Sequence, residues 1–188
     1  MRRPVIDQSI EKYTGSYLIK SSNLFIVRIV LTLWIFGVLL MTFSIRATRK
    51  YPFTFTYLSF NGIFLYLVSS IYISLMERNE KYTSEVPTIA GWINSVLYQC
   101  AYCYHLIVPL VYWILLAPDE FGNQDDLGKT LSVFVHALDF VVLTIEFILN
   151  RQQTTYFTVF LYIVVTVLYM FWTWIFYSFS NQWIVTGY

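Results

Sequence analysis

Thr56 and His136 are residues of the two types that together could cleave an ester. A threonine hydroxyl is a weak nucleophile near neutral pH until a neighbouring base takes its proton, and imidazole is the side chain most often used for that task. His136 stands in VHALDFVVLTIEF, a mostly apolar stretch that also holds Asp139 and Glu146. On a helix turning about 100° per residue, Asp139 and Glu146 lie within about 80° of His136, so all three share one face. Asp139, one turn from His136, could orient the ring or hold its charged form; it could equally bond to another helix.

The elements that must position these residues are membrane helices. The chain has 188 residues, of which 57% are hydrophobic and only 12% charged, and its mean hydropathy is +0.59. A soluble domain carries about 25% charged residues to cover its surface. Net charge is +1, without the concentrated basic face that a nucleic-acid partner requires. Five apolar windows, near 24–45, 51–76, 90–117, 128–149 and 155–179, each approach or exceed the ~20 residues that span hydrocarbon as a helix. No alternating segments of barrel type recur. The expected fold is all-α, a polytopic transmembrane bundle of five spans formed by residues 24–188 and preceded by a polar tail, 1–23.

The tail lacks the early apolar region of a cleavable signal, so the first window is expected to act as a signal anchor. The connections are short and polar, the third of them acidic (APDEFGNQDDLG), and Tyr51, Tyr82, Trp92 and Trp183 near the window ends suit interfacial anchors. Lys and Arg number seven on the side of the N-terminal tail and four on the other, which favours a cytoplasmic N-terminus.

Depth separates the ionisable residues. If the fourth span begins near Gly128, His136 lies roughly 12 Å below the face carrying the third connection, Asp139 near the midplane, and Glu146 close to the opposite face. Arg28 enters the first span from that opposite face, so Arg28 and Glu146 are expected to form a structural pair. Thr56, roughly 8 Å into the second span, shares the half of the bilayer that holds His136. Thr54 is its rival for an inward position, since residues two apart point to roughly opposite sides of a helix.

At these residues the chain resembles a known family. YPFTFTYLSFNGIFLYL is similar to the start of the second helix, and VHALDFVVLTIEF to the later histidine-bearing helix, of the androgen-induced membrane proteins. Those are multipass hydrolases of fatty-acid esters of hydroxy fatty acids. WIFYSFSNQWIVTGY resembles the region before their last helix, and HALDFVVLTIEF is equally close to uncharacterised fungal and rolling-stone-like relatives. The resemblance implies a nucleophilic threonine at Thr56, a catalytic histidine at His136 and a lipid-ester substrate. It also implies six helices, where five windows are seen, and it assigns no role to Asp139.

Other constellations point elsewhere. Cys100 and Cys103 are followed by Tyr104 before His105, which breaks the haem-attachment pattern, and no second soft-ligand pair exists to complete a metal site. Pro109, four residues after His105, predicts a local helix distortion. The acidic connection lacks calcium-loop spacing. No cofactor is expected. The sequence therefore suggests an integral-membrane lipid-ester hydrolase, with the endoplasmic reticulum as the default membrane. The alternative is a non-enzymatic membrane protein whose polar residues organise packing or bind a lipid or partner. A proton carrier built on Asp139 fits less well, because no other helix offers a midplane carboxylate.

Overall fold

In hydrocarbon the backbone must satisfy its own hydrogen bonds, and long apolar runs do so as helices. The computed structural model describes residues 9–45, 55–79, 88–152 and 156–180. Its helices are α1 (Ile10–Thr14), α2 (Ser21–Ile45), α3 (Phe55–Arg78), α4 (Thr88–Val111), α5 (Ala117–Glu120), α6 (Asp126–Val133), α7 (Asp139–Leu149) and α8 (Tyr156–Ser180). A π-helical turn, Tyr112–Leu116, joins α4 to α5, and another, Phe134–Leu138, joins α6 to α7.

Five rods thus stand where five spans are expected. The first, second, fourth and fifth are long and apolar enough to cross a membrane, which makes this an integral-membrane helical bundle. The third, α4, is the polar one: it carries Asn94, Gln99, His105 and Pro109 along its length. Its place in the bundle accounts for that composition. α2 packs on α3, α3 on α4, α4 on α7 and α7 on α2, so the four rods close a ring, and α8 leans on α4 from outside. Only 6% of the spanning stretch of α8 is buried, so lipid surrounds most of it. Ile35, Ile63, Tyr66, Leu67, Ala101 and Leu143, drawn from all four ring rods, form the centre of the core.

Lipid is as apolar as leucine, so close packing and polar ties must hold such rods together. Asn94 supplies one tie, donating from Nδ2 to the hydroxyls of Ser69 and Ser70 at 2.7 and 2.9 Å and so clamping α4 to α3. Many other hydroxyls are satisfied within their own turn, as when Thr32 donates to the Arg28 carbonyl and Thr42 to that of Val38, each at 2.6 Å.

The described part of the tail is docked. Ile10 and Tyr13 of α1 are buried against Ile73 of α3, and the Tyr13 hydroxyl lies 3.2 Å from Ser95 Oγ on α4. Gly15 ends α1 in a tight place: an added Cβ would press on the Glu11 carbonyl oxygen and stand 3.0 Å from Arg151 Cδ. Gly15→Ala is therefore expected to cost roughly 1–3 kcal/mol through overpacking and to loosen α1. Faster proteolysis at the N-terminal segment would show it, and unchanged cleavage would contradict it.

The third connection is largely helical and mostly exposed. It contains α5 and a 3-10 turn, Phe121–Asn123, and Asp125 then caps α6 by accepting the Gly128 N–H at 2.8 Å. Trp92, expected as an anchor, meets Phe157 edge-on at 4.9 Å. Tyr51, Thr54, Tyr82 and Trp183 lie outside the described residues.

Candidate functional site

A charge among lipid-embedded helices must be paired or face a cavity. Arg28 of α2 and Glu146 of α7, 0% and 1% exposed, meet in the half of the bundle nearer the start of α2. Arg28 Nε and Nη2 donate to Glu146 Oε1 at 2.9 and 2.8 Å, and Nη1 donates to the Tyr13 carbonyl. The Tyr66 hydroxyl of α3 donates to the same Oε1 at 2.8 Å. Asn150 Nδ2 donates to the Tyr66 hydroxyl at 2.6 Å and reaches Oε1 at 3.3 Å. The fourth rod joins through Tyr98, whose hydroxyl donates to the Gln152 carbonyl at 3.1 Å, while the Gln152 N–H donates to Asn150 Oδ1 at 2.9 Å.

This network neutralises the buried pair and ties α2, α3, α4 and α7 to one another. It contains no exposed nucleophile. The sequence points to Arg28 and Glu146 because charges in apolar windows are rare. Asn150, one helical turn after Glu146, carries a weaker signal of the same kind. Tyr66 and Tyr13 are hidden among 16 tyrosines. One feature of Glu146 stands apart: all of its described bonds fall on Oε1, while Oε2 is buried with no hydrogen-bond partner.

His136 sits in the π-helical turn between α6 and α7. Its ring stacks on that of Tyr112, with centroids 3.7 Å apart and planes 7° from parallel. Tyr112 opens the other π-helical turn, three residues beyond Pro109. The two irregular turns thus face each other, and π turns of this kind often mark functional sites. Asp139 is 2% exposed and accepts the N–H of its neighbour Phe140 at 2.6 Å, a bond within its own helix. His105 lies nearer the middle of α4, stacked 5.5 Å from Phe140.

Thr56 is half-buried in the first turn of α3, where its carbonyl accepts the Ser59 hydroxyl at 2.8 Å. The structure brings Arg28 and Glu146 into contact, but no bond between Thr56 and His136 is seen among the described residues. Ser59 is the hydroxyl that sequence reasoning passed over. It lines an apolar groove of about 520 Å³ that runs between α3, α4 and α8, beside Gly62, Leu97, Cys100, Tyr104 and Trp172. Nothing in the sequence forecasts this groove, because its walls come from three rods far apart in the chain.

Among the described residues, no group of three His, Cys, Asp or Glu side chains could hold a metal ion. Cys100 and Cys103 are free thiols, and Gln99 Nε2 donates to Cys103 Sγ at 3.2 Å. No family model, curated protein or solved structure matches the chain.

Proposed function

We propose that this bundle is a lipid-binding membrane protein that takes an acyl chain into the groove between α3, α4 and α8. The groove itself carries the reading. It is almost wholly apolar, its volume is about 520 Å³, and two of its three walls, α3 and α8, are long and apolar enough to cross a membrane, so the molecules available to fill it are lipids. Gly62 provides the test. A Cβ at Gly62 would meet nothing within 4 Å, so Gly62→Leu fills the groove while the rods stay packed as they are. Photo-crosslinking of a diazirine-bearing fatty acid to α3, α4 or α8 should fall about tenfold in Gly62→Leu, a loss of ~1.4 kcal/mol in binding, with no loss of folded protein. Equal crosslinking in both proteins would rule the groove out.

A second reading, hydrolysis of a bound fatty-acid ester, is favoured by one observation beyond the resemblance to the androgen-induced family. Thr56 lies one turn from Ser59 in the groove wall, so a threonine or serine hydroxyl stands beside the acyl site. In this reading Thr56 attacks the ester carbonyl as His136 takes its proton, His136 passes that proton to the departing alcohol as the ester C–O bond breaks, and water then cleaves the acyl-threonine to free the fatty acid and restore the hydroxyl. Asp139 plays a supporting part. A fluorophosphonate probe on intact membranes should label wild type, and labelling should vanish in His136→Ala and in whichever of Thr56→Ala and Ser59→Ala removes the nucleophile. If folded wild type takes no label, hydrolysis falls and lipid binding stands alone. The same proposal sets the N-terminus on the cytoplasmic side, from the Lys and Arg bias, and the protein in the endoplasmic reticulum. Protease protection of an N-terminal tag in sealed microsomes checks the first point, and microscopy of the tagged protein the second.

A further inference from the structure

Three cations gather at the short segment that links α1 to α2. Arg78 ends α3; its Nη2 reaches the Ser22 carbonyl at 3.5 Å, and its Cζ stands 4.1 Å above the Phe25 ring. Arg151 follows the end of α7, and its Cζ stands 4.9 Å above the Tyr17 ring. Lys20, exposed, lies in the chain between Tyr17 and Ser22, which are at most ~18 Å apart even in a fully extended segment. The three positive charges therefore share one corner, at the membrane face where α2 begins.

Like charges held together repel until an anion joins them. Among the described residues none of the three forms an ion pair, and Glu11 and Glu77, acids on the same face, pair with no cation. Stacking on a ring occupies the flat face of a guanidinium and leaves its N–H edges, which can take phosphate oxygens two at a time. Apolar surface adjoins the charges. Leu18 is 65% exposed, and Ile26, Val30 and Leu33, each more than half exposed, run down α2 within about 80° of Ser22. We propose that this corner binds an anionic phospholipid, with its headgroup among Arg78, Lys20 and Arg151 and an acyl chain laid along Ile26, Val30 and Leu33. The stripe is what argues for a lipid: it leads from the cations into hydrocarbon on the same flank of α2, and a soluble phosphate has no use for it.

The test is native mass spectrometry of the full chain in detergent, titrated with phosphatidylglycerol, with phosphatidylcholine of the same chains, and with inorganic phosphate. Phosphatidylglycerol should be retained at least about tenfold more tightly than phosphatidylcholine, because a basic residue beside an anionic headgroup is worth about fivefold in affinity and three are present. Lys20→Gln and Arg78→Gln should each weaken phosphatidylglycerol by roughly fivefold, and the pair by roughly 25-fold. Lys129→Gln removes a positive charge from α6, at the opposite membrane face, and should leave retention unchanged. Equal retention of the two lipids overturns the proposal. So does Lys20→Gln that binds as wild type does, a matching loss in Lys129→Gln, or inorganic phosphate bound as tightly as phosphatidylglycerol. Lys20→Gln decides the matter even if an arginine variant fails to fold, since the Lys20 ammonium makes no hydrogen bond or ion pair among the described residues. None of these residues lines the acyl groove, so the two proposals stand or fall separately.

Discussion

Arg28→Ala is expected to cost the bundle about 3–5 kcal/mol. The variant leaves the Glu146 carboxylate, 1% exposed, with only Tyr66 and Asn150 to satisfy a full negative charge among lipid-embedded helices. For a protein of this size the melting temperature in mild detergent should fall by roughly 6–20 °C, and the folded yield should fall with it. The informative partner is the double variant Arg28→Met with Glu146→Leu, which removes both charges and keeps much of the volume. Its loss should be well below the sum of the two single losses, because no uncompensated charge remains. The residue of the cost then falls on Tyr66 and Asn150, whose donors lose their shared acceptor. If Arg28→Ala melts with wild type, the ion pair does not hold the ring together.

The second large effect lies in the segment that reads as a polar tail. Tyr13→Ala should cost about 3–5 kcal/mol, the usual range for deleting a buried aromatic ring. Tyr13 is 2% exposed, packs with Ile10 and Ile73, and reaches Ser95 with its hydroxyl. Its carbonyl also takes a hydrogen bond from Arg28, so undocking α1 disturbs the buried ion pair as well. Tyr17 is the control. It is 64% exposed, and the Arg151 guanidinium lies 4.9 Å above its ring. Tyr17→Ala should therefore cost no more than about 1 kcal/mol. Equal melting shifts for the two variants would show that α1 is not docked in the membrane-embedded protein.

The comparison of Tyr13 with Arg28 shows what a linear reading can and cannot reach. Charges in an apolar window announce themselves, because each costs about 2.5–3.5 kcal/mol to insert and must find a partner. Arg28 and Glu146 were therefore legible as a pair, and the rods as apolar runs of sufficient length. A tyrosine carries no such signal, since it is at home in a core, at an interface or in a loop. The two π-helical turns that face each other through Tyr112 and His136 were equally invisible, although Pro109 pointed to a distortion nearby. The groove beside Ser59 depends on how α8 leans against α4, and helix tilt and rotation are set by packing rather than by any local run of residues.

The ring closes between its first and last rods, and that closure has a consequence in time. Arg28 and Glu146 are 118 positions apart in the chain. At a synthesis rate of about 5–20 residues per second, Arg28 emerges roughly 6–24 s before its counter-ion exists. Throughout that interval α2 holds a cation without its carboxylate, and the long arginine stem, only seven residues into the helix, must reach back to the headgroups. Biogenesis therefore has a vulnerable window that closes when α7 arrives. Slowing translation between α3 and α7 lengthens that window, and an early quality-control step that recognises unpaired membrane charges would act within it.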